Sequence, residues 1–238
     1  MRTAAILPVK RFSLAKQRLG ASVADTLRLE LAQAMVADVL LALAETKCNE
    51  VTIVVTREES VAQAASDLGA LVLDDVAEAG QSAAAELGAR HAIASGIERV
   101  LCVPGDCPAL DPLELDALLG APSGGERGAS EPQVVIVPDR HGTGTNGLLL
   151  SPPDVMTPSF GPESFERHRA LALAAGVACR VERPASLLLD IDTGADLAAL
   201  SALPIAERPG AQRALAANTR AVLARAARAI TLPAATSA

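Results

Sequence analysis

The chain has 238 residues, half of them hydrophobic, with no Trp, no Tyr and only three Phe, so one sizeable domain with an aliphatic core is expected. A formal net charge of −7 opposes broad electrostatic capture of nucleic acid, and the shortage of aromatic rings removes the stacking platforms that single-strand binders use. No apolar run approaches the roughly 20 residues of a membrane span and no leader pattern opens the chain, so a cytoplasmic protein with neither membrane nor nucleic-acid partners is expected.

Residues 4–9 (AAILPV) predict a buried strand running into a turn that concentrates Lys10, Arg11, Lys16 and Arg18. A helix is expected to open at Ser22, where Ser22-x-x-Asp25 has the form of a capping signal. Residues 50–56 and 70–75 read as strands, with helices over 58–68 and 82–95. The apolar run 99–103 leads into Pro104-Gly105-Asp106, and a further helix begins at Asp111-Pro112, with Pro in its first turn. Residues 121–132, rich in Gly, Ser and Pro, are expected to form a surface insertion within the single domain 1–238. Strand 133–138 follows, then a glycine stretch, the apolar run 147–150, a helix over 163–175, strand 177–181 and the segment LLLDIDT at 187–193. A last, arginine-bearing helix is expected near 211–230, covering the sheet or meeting a second subunit in a homodimer. Alternating strands and helices predict an α/β fold, a mostly parallel (mixed) sheet with helices on both faces, whose ligands bind at the carboxyl ends of the strands.

The stretch GTGTNG contains Gly142-x-Gly144-x-x-Gly147, the letters of a dinucleotide fingerprint. That fingerprint requires a first βα turn with a helix behind it, whereas here it lies past mid-chain and is followed by LLLSPPDVMTP. Two readings remain: a plain glycine-rich connection, or a loop whose amides and threonines hold an anionic substrate. No Walker A loop occurs.

Asp106 ends a strand and Asp190 and Asp192 alternate after an apolar triplet, so their side chains can point the same way in extended chain. Three converging carboxylates would suit Mg²⁺, which takes one or two carboxylates plus substrate phosphates. Turn and capping roles are the plainer alternatives for these aspartates. The cations after the first strand suit the phosphates of a nucleoside triphosphate and the charge of departing pyrophosphate. No C-x-x-C pair joins the four cysteines, which are expected to be reduced and mostly buried. His91 falls within a helix, and His141 and His168 read as surface residues.

Taken in order, ILPVKRFSLAKQRLG, CVPGDCPAL, GTGTNGLLL, FGPESFERH and LLLDIDT resemble the motifs of the 2-phospho-L-lactate or phosphoenolpyruvate guanylyltransferases of deazaflavin coenzyme F-420 biosynthesis. The resemblance runs to about residue 200. It implies a nucleotidyltransferase fold, like that of nucleotide-diphospho-sugar transferases and related to the enzymes that attach nucleotides to the molybdenum cofactor. It also implies transfer of GMP from GTP to a small phosphorylated three-carbon acid, with Mg²⁺ as the metal. Residue by residue it implies Pro8, Lys10, Lys16, Arg18, Gly80, Ser82, Pro104 and Asp106 at the nucleotide, with Lys16, Arg18 and Asp106 catalytic. It places Asp106, Asp190 and Asp192 at the metal, and Thr145, Gly161 and Ser164 at the acceptor. Where that family often has Gly-Leu-Asn, this chain has Gly80-Gln81-Ser82, so Ser82 or Gln81 takes over the asparagine's hydrogen bonding. Competing readings are 3-phosphoglycerate as acceptor, a molybdenum-cofactor type of nucleotidyltransferase, and a non-catalytic nucleotide-binding module. A sugar transferase would place paired aspartates directly after a central strand, where this chain has Pro104-Gly105-Asp106.

Overall fold

A computed structural model of the protein describes residues 1–14, 24–120, 131–204 and 214–231, and the side chains of these up to residue 228. Seven strands form one sheet in the order β3-β2-β1-β4-β6-β5-β7. They are β1 (Thr3–Val9), β2 (Val51–Thr56), β3 (Leu71–Asp74), β4 (Arg99–Cys102), β5 (Gln133–Pro138), β6 (Thr145–Ser151) and β7 (Ala178–Val181). Neighbours β3, β2, β1 and β4 are parallel, whereas β6 runs antiparallel between β4 and β5. The expected mixed sheet is therefore present, with its one reversed strand being the apolar run after the glycine stretch.

The central strands are continuous apolar runs because both faces are covered. Along β1, Ala5, Leu7 and Val9 face one core, shared with α1 (Asp25–Glu45), α2 (Glu59–Asp67), α4 (Pro112–Gly120) and the short α6 (Ala185–Leu188). Ala4 and Ile6 face the other, shared with α3 (Gln81–Ala94) and α5 (Ser164–Ala174). The outermost strands β3 and β7 have four residues each and no fully buried position, a brevity that protects sheet edges from pairing with another chain.

Behind α1 lies a third cluster, in which Leu31, Ala34 and Met35 meet Leu197 and Leu200 of α7 (Gly194–Ala202) and Val222 of α8 (Ala217–Thr231). Covered on both sides, α1 is apolar around most of its circumference. The arginine-bearing C-terminal helix thus lies on α1 of its own chain. The buried Asp38 of α1 anchors it by accepting hydrogen bonds from the Asn218 amide and side chain and from the Thr219 amide and hydroxyl. Helix α8 begins at Ala217 rather than near 211. The expected Ser22 cap and residues 121–130 of the expected insertion over 121–132 fall outside the described residues.

The apolar triplet before the aspartates is partly helical: Leu187 and Leu188 close α6, and Asp190 to Thr193 then run past the turn after β4, the Ile191 amide donating to the Asp106 carbonyl at 2.9 Å. Cys102 and Cys107 are buried as expected, but Cys48 and Cys179 are exposed. Among the described residues no helix is long and apolar enough to cross a membrane.

Candidate active site

Parallel register brings the carboxyl ends of the strands to one edge: Val9 of β1 lies beside Thr56 of β2, which lies beside Asp74 of β3. Above them is a cavity of about 340 Å³, within the range of small-ligand sites. One wall is the turn after β1, from Pro8 to Phe12, and the facing wall is Pro104-Gly105-Asp106 after β4. Ala32, Met35 and Val36 of α1 supply an apolar floor, and Gly80, Gln81 and Ala84 bring up the start of α3. The cavity thus sits where the chain reverses its strand order, between β1 and β4.

The basic turn is held by polar contacts from β2. The Thr56 hydroxyl donates to the Val9 carbonyl at 2.7 Å, and Glu58 accepts the Phe12 amide at 3.0 Å. Two arginines at the cavity, Arg11 and Arg57, both pair with Glu78, at 2.8 and 3.6 Å, and Arg57 also meets Asp74 at 3.2 Å. Arg57 and Glu78 are lining residues that sequence reading missed, because neither stands in a recognisable motif. Gly80 has φ +100° and ψ 174°, a conformation essentially confined to glycine, and it begins α3 at the cavity.

Of the residues expected at the nucleotide, Pro8, Lys10, Gly80, Pro104 and Asp106 line this cavity. Ser82 does not: its Oγ accepts the Phe160 amide at 2.8 Å, which fastens the loop before α5 to the start of α3. Gln81 is the side chain of that pair on the cavity wall. Lys16 and Arg18 lie outside the described residues.

Beside Asp106 the half-buried Asp190 and Asp192 flank the buried Ile191. Burial first, and then the negative charge of Asp106, pushes the Asp190 carboxyl above the usual range, with Asp192 adding to the rise. Asn146 at the start of β6 opposes it by donating to Asp190 at 3.2 Å while also donating to the Leu187 carbonyl at 2.8 Å. Asp192 is set by the capping box of α7, in which Asp196 accepts the Asp192 amide at 3.0 Å and the Thr193 amide at 2.7 Å. Among the described residues no group of three or more ligating side chains is closed around a metal position, so the expected three-carboxylate convergence is not a preformed cage. Half-buried, mutually repelling oxygen ligands nonetheless suit a hard dication that keeps water and substrate phosphates in its shell.

The glycine stretch is organised by Asp139. Its Oδ1 accepts the His141 and Thr143 amides at 3.1 and 2.9 Å, and its Oδ2 accepts the Gly144 amide at 2.9 Å. Burial raises this carboxyl, but the hydrogen bonds from Thr143 and Gly144 outweigh it and hold Asp139 below the usual range. These amides are taken by the chain's own carboxylate, which favours the plain glycine-rich connection over an amide cradle for substrate. Gly144 is glycine because a Cβ there would lie 2.7 Å from Asp139 Oδ2. Arg140, in the same loop, pairs with Asp196 and so ties it to the segment bearing Asp190 and Asp192.

Thr145, Gly161 and Ser164 belong to one neighbourhood. Phe165 of α5 donates its amide to the Thr143 carbonyl at 3.1 Å, and the Ser164 amide donates to the Gly161 carbonyl at 3.1 Å. Thr145 and Ser164 are buried, and Gly161 has φ +117°. Arg167 draws the preceding loop together through Ser159, Phe160 and Pro162. His168, expected at the surface, is instead fully buried against Phe160, its ring nitrogens finding partners in Thr145 at the start of β6 and in Ser159 of this loop.

A seven-stranded mixed sheet flanked by helices, with a cavity and carboxylates at the strand ends, is the architecture of the nucleotide-diphospho-sugar-transferase-like nucleotidyltransferases. A nucleotide-diphospho-sugar transferase structure from Desulfovibrio desulfuricans shares the fold, with a TM-score of 0.70 at 16% identity, covering 97% of each chain. The chain belongs to the guanylyl transferase CofC-like family, whose model matches residues 3–202. It is 49% identical over 223 residues to a phosphoenolpyruvate guanylyltransferase of Conexibacter woesei, covering 94% of this chain and 96% of that protein. It is also 34% identical to a 2-phospho-L-lactate guanylyltransferase of Methanothermobacter thermautotrophicus, covering 83% of each.

Proposed function

We propose that this enzyme transfers GMP from GTP to phosphoenolpyruvate and releases pyrophosphate, as a step of deazaflavin coenzyme F-420 biosynthesis. The observation that carries the proposal is the adjacency of the cavity walls, Lys10 on one side and Asp106 on the other, to Asp190 and to the start of β6 bearing Thr145. The relative at 49% identity favours phosphoenolpyruvate, and the 34% relative keeps 2-phospho-L-lactate as the second acceptor.

In this reading GTP occupies the cavity with its phosphates toward Lys10, Lys16 and Arg18, and the acceptor lies at Thr145, Gly161 and Ser164. Asp106, Asp190 and Asp192 would hold Mg²⁺, which when bound supplies Lewis-acid stabilisation of the phosphates. The acceptor's phosphate oxygen attacks the α-phosphorus, and the bond to the β,γ-pyrophosphate breaks on the opposite side. A phosphate monoester is already largely dianionic at neutral pH, so no general base is required. The chain's cations instead neutralise the leaving pyrophosphate, and its loops hold the reacting oxygen in line.

The test is pyrophosphate release with each nucleoside triphosphate and Mg²⁺ against phosphoenolpyruvate, 2-phospho-L-lactate and 3-phosphoglycerate. Release with GTP and phosphoenolpyruvate is expected. Turnover confined to another acceptor would reassign the substrate, and binding of GTP with no release from any acceptor would leave a nucleotide-binding module.

A further inference from the structure

His168 lies on α5 with its imidazole 0% exposed, and nothing in the transfer chemistry above uses it. Its two nitrogens have different partners. The Ser159 backbone amide points at Nε2 from 2.9 Å, while Nδ1 lies 3.0 Å from Thr145 Oγ1. A backbone amide can only donate, so Nε2 must present a lone pair, and a neutral imidazole then carries its single proton on Nδ1. An imidazolium would set N–H against N–H at Ser159. Reversing the ring would put carbon where each nitrogen stands, so both hydrogen bonds select this orientation. The edge contact with Phe160, 5.2 Å between centroids at 76°, fixes the ring plane. Arg167 fixes the other end by donating from Nε to Ser159 Oγ at 2.9 Å. Burial, with the nearby Arg167 charge, lowers the imidazole to about 4, so the neutral form holds through the working range.

The consequence falls on Thr145. A hydroxyl has one proton and two lone pairs, and the His168 Nδ1–H occupies a lone pair. Thr145 cannot donate back to His168, so its proton is directed elsewhere.

We propose that His168 is a positioning residue that, as a locked Nδ1–H tautomer, makes Thr145 an obligatory hydrogen-bond donor to the acceptor substrate. The inference rests on the proposed placement of the acceptor at Thr145. Such a donor favours an unprotonated phosphate or carboxylate oxygen there and disfavours a substrate group that must itself donate. It therefore selects the anionic acid over an alcohol or amide of the same size.

Long-range ¹⁵N–¹H NMR of the imidazoles in the full-length protein, with His168→Gln to assign the resonance, reads the tautomer without activity. The Nδ1–H form is expected at pH 7; an Nε2–H tautomer or an imidazolium overturns the lock. In kinetics, His168→Asn places an amide N–H near the former Nδ1, and His168→Gln reaches Ser159 but not Thr145. His168→Gln should raise the acceptor KM about tenfold with the GTP KM unchanged, and His168→Asn should recover most of that rise. Equal rises in both KM values, or no rise in the Gln variant, overturn the positioning role. If Thr145→Val turns over with an unchanged acceptor KM, the acceptor is not at Thr145 and the inference falls with that placement. If the parent enzyme transfers to no acceptor, the guanylyltransferase reading fails, and the NMR result alone decides the lock.

Discussion

The two halves of the sheet organise their polar groups differently. On the side of β3, β2, β1 and β4, the polar groups around the cavity are charged and paired in loose surface networks, Arg11 and Arg57 sharing Glu78. On the side of β6, β5 and β7, the polar groups are consumed internally: Asp139 by loop amides, Arg167 by loop carbonyls and His168 by Ser159 and Thr145. Exposed pairs are easily exchanged for a polyanion, whereas a buried, satisfied network resists rearrangement. On the proposed placement of substrates, the first half would be remade when a triphosphate binds, and the second would keep a fixed shape that reads a small acid.

Asp106 stands between the halves, and removing its charge should have the largest effect. Asp106→Asn is expected to lower kcat by about a hundredfold or more, since it removes one of the carboxylates proposed to hold the metal where charge develops. Pyrophosphate release as a function of Mg²⁺ should also show a raised metal requirement. Parent-level activity at limiting Mg²⁺ would detach the carboxylates from the chemistry and leave the two halves unconnected.

Losing the organiser of the acceptor side comes next. Asp139→Ala takes away the acceptor of the His141, Thr143 and Gly144 amides and should cost about 2 to 3 kcal/mol in urea unfolding. The acceptor KM should rise about tenfold with little change for GTP. The folded Asp139 carboxyl lies below its unfolded value, so the unfolded chain binds more protons. Its stabilisation is fully present above the ordinary carboxylate range and is lost as pH falls through the lowered value. The variant should therefore show a shallower decline of stability with acid. An unchanged slope would mean that Asp139 does not hold the loop.

What could be read from the letters differs between the halves for a physical reason. Parallel strands covered on both faces announce themselves as apolar runs, and a Pro-Gly-Asp or a basic turn directly after such a run marks a strand end, so the cavity walls were legible. The acceptor side depends on contacts between distant segments: Ser82 with Phe160, Asn146 with Asp190, Arg140 with Asp196 and Thr145 with His168. No spacing rule announces such pairs. The same limit explains why GTGTNG left two readings open, a plain connection and an amide cradle. That Asp139 fills it depends on a loop closure in which the Asp139 amide donates to the Gly144 carbonyl.

A matched pair of glycine substitutions tests whether the halves are separable. Gly80 and Gly161 both hold φ values that an alanine tolerates poorly, at about 1 to 3 kcal/mol of strain each. Gly80→Ala should raise the GTP KM about fivefold and spare the acceptor, and Gly161→Ala should do the reverse. If both substitutions raise both KM values alike, the substrates share one site and the division between halves is wrong.

The smallest expected effect concerns Glu78, which occupies both cavity arginines and sits at φ +43° in left-handed backbone. Glu78→Gln frees Arg11 and Arg57 from a competing carboxylate without shortening the side chain. If the pairs are placeholders for phosphate, the GTP KM should fall about twofold to threefold at low ionic strength, and the gain should fade as salt screens it. Stability should move by less than about 1 kcal/mol, since exposed pairs contribute little. A rise in the GTP KM would instead make Glu78 an acceptor for the donor groups of the ribose or the base. That outcome would turn the nucleotide side, like the acceptor side, into a surface whose polar groups are already aimed at their substrate.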